Sequence, residues 1–191
     1  DYYTQTTQPS VIELAIGTGL IPVAEMEPDG LFHHLAFAKI NFTRNTGFVV
    51  PPVRIRSDTE LDPYQYKILI NGAEAGRFTL EPDKLMVLDG GDVKERIDGT
   101  AFAEPSFGVD AIWIDKEKRQ KAIDNGYRVH AGPVIIAIHL IETVKKNPAE
   151  VLDLEQVQTL INGIEYDFPA VVESFRNSET LSLNMLHRVL Q

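Results

Sequence analysis

The dipeptide Asn71-Gly72 restricts the fold of this 191-residue chain more than any other feature. Both residue types accept the positive φ angles that a two-residue type I′ turn requires. A strand-like run leads up to the dipeptide from Tyr64 to Ile70, and a second follows it from Ala73 to Leu80. The two runs around Asn-Gly predict a β-hairpin.

A strand and an amphipathic helix are predicted ahead of this hairpin. The strand extends from Val11 to Ile16 and leaves through a glycine-containing loop. Apolar side chains then recur at helical spacing between positions 31 and 42, and Gly47 stands where a left-handed C-cap is expected. The pair Pro51-Pro52 demands extended backbone before a short second strand.

The pattern changes near Pro82 from one long hairpin to shorter elements, so we expect a domain boundary there. A short strand over Leu85–Leu88 precedes a turn-rich polar stretch that continues to Gly99. A compact strand, charged surface helix and strand then follow at Ala111–Ile114, Lys116–Asn125 and Tyr127–His130.

Two helical regions complete the chain. Val134–Lys146 is predicted as a mostly buried helix whose last-turn lysines complement the helix dipole. From Asp153 to Gln191 the apolar period is helical, and the pattern predicts a separate module that stops in mid-pattern. The polar segment Asp1–Ser10 has neither an initiator methionine nor a signal pattern, so we expect an excised piece of a longer protein.

Composition argues against several classes of partner. The formal net charge of -10 opposes binding to a phosphate backbone, so nucleic acid is not expected. The absence of cysteine excludes disulfides and thiolate chemistry, and it suits a reducing compartment such as the cytoplasm. The longest apolar run, Val134–Ile141, is interrupted by His139 and is much shorter than the roughly 20 residues that cross a bilayer.

The sequence offers no convincing catalytic or metal-binding constellation. His33 and His34 are neighbours on a helix, so their side chains diverge by about 100° and favour a surface role over ligation. His139 lies on the predicted buried helix, where a hydrogen-bonded core histidine is more common than a general base. Gly17-Thr18-Gly19 lacks the third glycine of a dinucleotide fingerprint, and Pro22 stands where its helix should begin. We expect no enzyme, cofactor or metal.

Phe107 is the most conspicuous loop aromatic. It lies in the segment Glu104–Val109, between a proline and a glycine, where the backbone cannot readily continue a helix or strand. Such a side chain can plug the core beneath its own loop, or it can anchor a visiting protein. Composition alone slightly favours the plug and leaves the anchor open.

Six segments occur together in an order that matches one known family. They are Ile16–Pro22, Gly47–Arg56, Tyr66–Gly72, Pro105–Gly108, Ala111–Ile114 and Leu186–Gln191. Through them the chain resembles the cytoplasmic domain of FlhA-type export-gate proteins, the FHIPEP family, of flagella and of virulence type III secretion. The segments Pro105–Gly108 and Ala111–Ile114 are more similar to the flagellar branch.

The resemblance implies a mixed α/β fold in three parts. Residues 11–82 and 132–152 would form a first α/β subdomain, into which residues 83–131 insert a small RRM-like (ferredoxin-like) subdomain. Residues 153–191 would begin a helical subdomain that is incomplete, and residues 1–10 would be a linker.

The resemblance also implies a docking groove between the first subdomain and the insert. Its acidic residue, proline, groove aromatic and facing helix correspond to Glu104, Pro105, Phe107, Ile135, Ile136 and Ile138. In such a groove, Phe107 and the isoleucine face would bind an apolar segment of an export chaperone, and Glu104 would orient that segment by a charge at the rim. The loop motif of the family corresponds to Gly17, Thr18, Gly19, Leu20, Ile21 and Pro22. The chain departs from the flagellar pattern at Ile138, where threonine is usual, and at Thr18, where tyrosine is usual.

The implied whole protein lies in the bacterial inner membrane, with this part on the cytoplasmic side in a ring that is typically nonameric. Its implied partners are flagellar export chaperones with their substrates, and other export-apparatus proteins such as the ATPase complex and the substrate-specificity switch protein. Two alternatives stay open at this point. The chain could belong to a virulence-type export gate, or it could be a structural domain that only builds the ring.

Overall fold

A computed structural model describes residues 11–25 and 29–151, together with the isolated helical positions 162, 165, 169, 170 and 173. The strands in these ranges are β1 (Ile12–Ile16), β2 (Val53–Ser57), β3 (Gln65–Ile70), β4 (Ala73–Thr79), β5 (Lys84–Asp89), β6 (Thr100–Ala103), β7 (Asp110–Asp115) and β8 (Tyr127–His130). The α-helices are α1 (Ile21–Glu25), α2 (Leu31–Thr46), α3 (Arg119–Asp124), α4 (Gly132–Lys146) and α5 (Pro148–Val151), and short 3-10 turns lie at Thr18–Leu20 and Lys116–Lys118.

The first sheet contains the predicted hairpin. Its strand order is β2-β1-β3-β4, with β1 parallel to β2 and antiparallel to β3. Asn71 and Gly72 adopt φ angles of 49° and 79°, which confirms the turn between β3 and β4. Alternate residues of β1 and β3, including Leu14 and Ile68, are buried on one face, where the long helices pack.

Helices α2 and α4 pack against each other and cover that face of the first sheet. In α2 the residues Leu31, Leu35 and Phe42 are buried, as their helical spacing predicts. Gly47 ends the helix with a left-handed φ of 72°, and its N–H donates to the carbonyl of Thr43 over 2.8 Å, so the predicted C-cap is confirmed.

The second sheet lies wholly between residues 84 and 130, with the order β6-β7-β5-β8 and antiparallel pairing throughout. Helix α3 covers one face through Ala122, beside a small core that contains Val87 and Ile114. The segment 90–99 between β5 and β6 is irregular, so this unit has one helix where a ferredoxin-like βαββαβ pattern has two.

An aromatic cluster joins the two sheets. The rings of Phe102 on β6 and Trp113 on β7 are stacked, with centroids 4.5 Å apart. Phe78 on β4 of the first sheet lies 5.8 Å from Phe102 and 6.4 Å from Trp113. Because aromatic pairs contribute beyond their buried area, this seam holds the second sheet firmly against the first.

Three expectations about local structure need correction. A helix does begin at Ile21, and Pro22 lies in its first turn, where a fixed φ and a missing N–H are tolerated. The charged segment predicted as one helix begins with a 3-10 turn over Lys116–Lys118 and is α-helical only over Arg119–Asp124. Strand β6 was not predicted, because its four residues carry only one large apolar side chain.

The predictions for residues 1–10 and for most of 153–191 fall outside the described residues, and the division into subdomains stays a prediction. Within the described ranges, no helix combines the length and apolarity that a bilayer span requires. The mixed α/β fold class itself is confirmed by the two sheets and their packed helices.

Candidate protein-docking site

Phe107 stands at the tip of the β6–β7 turn, residues 104–109, and points away from the core. Its side chain is 62% exposed, and that of Val109 in the same turn is also exposed. The interpretation of Phe107 as a plug for the core beneath its loop is therefore wrong. The turn offers an apolar aromatic surface to solvent.

The backbone of the β6–β7 turn explains why the ring projects. The N–H of Glu104 donates to the carbonyl of Val109 over 2.9 Å, and the N–H of Gly108 donates to the carbonyl of Glu104 over 3.0 Å. Gly108 adopts a φ of 71°, which a residue with a side chain rarely accepts. This tight closure leaves Phe107 at the outermost point.

Glu104 supports the turn from inside. The residue is only 3% exposed, and its carboxylate accepts hydrogen bonds from the backbone N–H groups of Ser106, over 2.8 Å, and of Phe107. The expectation that Glu104 provides a charge at the rim is therefore wrong in this structure. A carboxylate beside two N–H groups of its own turn fixes the backbone rather than meeting solvent.

Of the three isoleucines expected to face a partner, only Ile138 reaches the surface, where it is half-buried. Ile135 and Ile136 are each 1% exposed and belong to the main core. This corrects the expectation that all three offer accessible surface, because an amphipathic helix buries the face turned toward its sheet. Pro105 is half-buried at the base of the turn. The binding role of all six residues stays a prediction.

His139 lies on α4 in the core below this region. Its Nδ1 shares a hydrogen bond of 2.8 Å with the hydroxyl of buried Tyr66, so the prediction of a hydrogen-bonded core histidine is confirmed. Burial lowers the pKa of His139 to about 4; the negative charge of Glu104 opposes the shift and the positive charge of Lys146 adds to it. The imidazole is therefore neutral near pH 7.

Burial also raises the pKa of the Tyr66 hydroxyl well above its usual value, and the charge of Glu104 adds to this shift. The tyrosine is thus protonated at any physiological pH. The pair Tyr66–His139 acts as a neutral, satisfied polar contact between β3 and α4. It has no solvent access that would suit proton transfer to a substrate.

The neighbouring histidines His33 and His34 lie on α2. His33 is exposed, as predicted, whereas His34 is half-buried, and their rings meet edge to face with centroids 5.6 Å apart. Among the residues that the structure describes, no three His, Cys, Asp or Glu side chains converge in a way that would hold a metal ion.

The glycines of the predicted loop motif have a structural role. A Cβ at Gly17 would lie 2.1 Å from the carbonyl oxygen of Asp62, and one at Gly19 would lie 2.5 Å from the ring of Tyr64. Both glycines are needed because the segment 62–64 packs directly on this loop. Thr18 is exposed between them.

The sequence model of a protein family, described as the FHIPEP family, matches residues 2–191, almost the whole chain. This chain belongs to the FHIPEP family.

Curated relatives of this FHIPEP chain carry the name flagellar biosynthesis protein FlhA. The FlhA of Helicobacter pylori (strain J99) is 33% identical over 181 residues, which cover 94% of this chain and 24% of the relative. The FlhA of Treponema pallidum (strain Nichols) is 32% identical over 181 residues, covering 94% of this chain and 25% of the relative. The chain thus spans about a quarter of the length of these relatives.

Solved structures share the fold of this FHIPEP chain. The Chlamydia pneumoniae CdsV protein superposes with a TM-score of 0.77 at 18% identity, covering 100% of this chain and 56% of that one. The structure of nonameric EPEC SctV-C gives a TM-score of 0.67 at 16% identity, covering 96% and 55%. At these identities the likeness establishes the fold alone.

Sequence reasoning identified the Phe107 turn but missed its contact with Lys146 and the burial of Ser106. The side-chain ammonium of Lys146, the last residue of α4, donates to the carbonyl oxygen of Ser106 over 2.6 Å. Ser106 is itself buried between Pro105 and the exposed ring. A last-turn lysine gives no local sequence signal for such a contact, because its partner lies 40 positions away.

Proposed function

We propose that this FHIPEP chain is the cytoplasmic docking part of a flagellar type III export gate. In this proposal the β6–β7 turn receives an apolar segment of a flagellar export chaperone that carries its substrate. The exposure of Phe107 on a fixed turn is the observation that carries the proposal.

Energetic considerations support a docking role for Phe107. Covering a phenylalanine side chain stabilises a complex by about 1.5–3 kcal/mol, which corresponds to roughly a tenfold or larger gain in affinity. Because Glu104 and Gly108 already fix the turn, a partner would lose little free energy in ordering it. Ile138 on α4 and Val109 beside the ring extend the apolar surface.

The flagellar branch is favoured over a virulence-type export gate by sequence identity. Curated proteins named FlhA reach 33% identity over nearly the whole chain, whereas CdsV reaches 18%. A docking role also accounts for the region better than catalysis, since the buried pair Tyr66–His139 is neutral and its two groups satisfy each other.

The proposal extends to the setting of the whole protein. The whole protein to which this chain belongs would lie in the bacterial inner membrane, with this chain on the cytoplasmic side. Its partners there would include the ATPase complex and the substrate-specificity switch protein. A contact with another export-apparatus protein is supported by the solved complex of Chlamydia pneumoniae CdsV with CdsO, whose CdsV-like chain has a TM-score of 0.76 at 18% identity.

Self-association into a ring is a second proposed role, supported by the nonameric state of EPEC SctV-C. The outer face of α2 exposes three large apolar side chains, Phe32, Phe37 and Ile40, and an exposed apolar patch commonly marks a protein–protein contact. If α2 contributes to such a ring, Ile40→Ser should reduce oligomer formation at high protein concentration. Sedimentation velocity that shows only monomers of the unaltered chain would remove this role.

The docking role is tested by Phe107→Ala. We expect the affinity for a purified flagellar chaperone–substrate complex from the same bacterium to fall about tenfold, measured by titration calorimetry with monomeric protein. Phe37→Ala is the matched control, because its ring is equally exposed, at 61%, on a different surface. That control should bind within about twofold of the unaltered chain. Unchanged affinity of a folded Phe107→Ala variant would refute the proposed function.

A further inference from the structure

We propose that Lys146 is a positioning residue for the docking site, because its ammonium ties the Phe107 turn to helix α4. This inference rests on the proposed function and deepens it. The two sides of the docking surface belong to different parts of the fold, since the turn closes strands of the second sheet and α4 packs on the first. A contact between them therefore sets the position of the ring relative to α4.

The contact itself is short and charged. The Nζ of Lys146 donates to the carbonyl oxygen of Ser106 over 2.6 Å, slightly shorter than the roughly 2.7–2.9 Å of hydrogen bonds with a charged nitrogen donor. Hydrogen bonds with an ionised partner contribute about twice as much as neutral ones. Ser106 is buried, so water competes poorly for its carbonyl oxygen.

Residue 106 is held from two sides by opposite charges. The carboxylate of Glu104 accepts a hydrogen bond from the N–H of Ser106. The ammonium of Lys146, which can only donate, donates a hydrogen bond to the carbonyl oxygen of the same residue. Each charge meets the complementary end of the Ser106 backbone. Since Phe107 is the next residue in the chain, this double contact restrains the direction in which its ring projects.

The neighbouring lysine shows that the contact is specific. Lys145 pairs with Glu142 over a short distance on the same helix, and its ammonium lies 5.6 Å from the centre of the Phe42 ring. These contacts stay within the first-sheet part of the molecule. Both lysines have the same place near the helix C-terminus, so a general effect on the helix dipole would be shared by both.

Replacing Lys146 with an uncharged residue should remove its contact with the turn without unfolding the protein. Removing the ammonium leaves the aromatic seam of Phe78, Phe102 and Trp113 to hold the sheets together. The expected consequence is a turn that samples more positions, so that a partner must order it on binding. Arginine could restore the contact, because its guanidinium also donates hydrogen bonds and is always charged.

The experiment compares Lys146→Met, Lys146→Arg and Lys145→Met in the 191-residue chain. Amide hydrogen exchange reports on opening of the turn without any partner. We expect Lys146→Met to speed exchange at Ser106 and Phe107 about tenfold, with little change at amides of β1 and β3. Lys145→Met and Lys146→Arg should remain within about twofold of the unaltered chain.

The same variants are then titrated with the purified chaperone–substrate complex. Lys146→Met should bind about fivefold more weakly, and Lys146→Arg should regain most of the affinity. Unchanged exchange in Lys146→Met overturns the inference, as does faster exchange with unchanged affinity or faster exchange spread equally over the whole chain. If the unaltered chain does not bind the complex, the proposed function fails. The positioning role then fails too, even where hydrogen exchange shows that Lys146 restrains the turn.

Discussion

The β6–β7 turn and the outer face of α2 each present a phenylalanine to solvent, and the two rings are almost equally exposed, at 62% for Phe107 and 61% for Phe37. Their supports differ. Phe37 lies on the regular helix α2, whose backbone hydrogen bonds hold the position of the residue without help from other side chains. Phe107 depends on a buried carboxylate, a left-handed glycine and a lysine from another part of the fold.

This difference favours a binding role for the turn, because folding of the chain does not require these supporting contacts. A buried carboxylate costs free energy in desolvation unless hydrogen bonds offset it, and a shorter turn could join β6 to β7 without one. Fixed loop positions are where binding residues commonly lie on a rigid scaffold. The α2 face carries no comparable arrangement, so exposure alone does not distinguish the two surfaces; the supporting contacts do.

Removing the support from the turn should produce the largest effect on stability. In Glu104→Ala the N–H groups of Ser106 and Phe107 lose their acceptor in a buried setting. We expect the free energy of unfolding to fall by about 2–3 kcal/mol, measured by urea denaturation.

The matched control for this prediction is Glu142→Ala on α4. Its carboxylate pairs with Lys145 near the surface, so the change should cost no more than about 0.5 kcal/mol. Equal losses in the two variants would show that Glu104 supports the turn no more than a surface ion pair supports a helix.

Acid should lower the free energy of unfolding of the chain through His139, which is buried beneath the turn. Its pKa is lowered to about 4 in the folded chain, against about 6.5 when unfolded, so between these values only the unfolded chain binds the proton. Stability is therefore fully present above about pH 6.5 and is lost as pH falls toward 4. We expect a loss of about 2 kcal/mol between pH 6.5 and 4.5, from urea denaturation at each pH.

His139→Gln isolates this contribution, because glutamine can still bond Tyr66 but does not titrate. Its stability should vary less with pH over this interval. Asp58, whose pKa is lowered mainly by a hydrogen bond from Lys67, contributes in both proteins at lower pH and cancels in the difference. Identical pH profiles would mean that His139 is charged or solvated in the folded chain.

The elements that the sequence predicted well are those whose cause is local. The hairpin follows from Asn71-Gly72, and the end of α2 follows from Gly47, because a positive φ is a property of single residues. The alternating burial of β3 could likewise be read from its period of two. Strand β6 was missed because it is short and its pairing with β7 is a tertiary contact.

The candidate site was predicted less accurately, for a related reason. The position of Phe107 between a proline and a glycine identified it as a possible anchor, and the family resemblance placed it in a groove. Glu104, however, was expected to provide a charge at the rim, whereas it is buried. Its burial depends on two N–H groups that become available only when the turn closes. Which of Ile135, Ile136 and Ile138 reach the surface likewise depends on how α4 sits against the sheet, which periodicity alone did not fix.

Truncation of either exposed phenylalanine should have the smallest effect on stability. Because both rings are mostly exposed, Phe107→Ala and Phe37→Ala should each change the free energy of unfolding by less than about 0.5 kcal/mol in dilute solution. A loss above about 1 kcal/mol in Phe107→Ala would mean that the ring packs into the core, and its binding defect could not be attributed to docking. A loss in Phe37→Ala that grows with protein concentration would instead indicate that α2 is covered by another copy of the chain, so the two surfaces would differ in partner rather than in support.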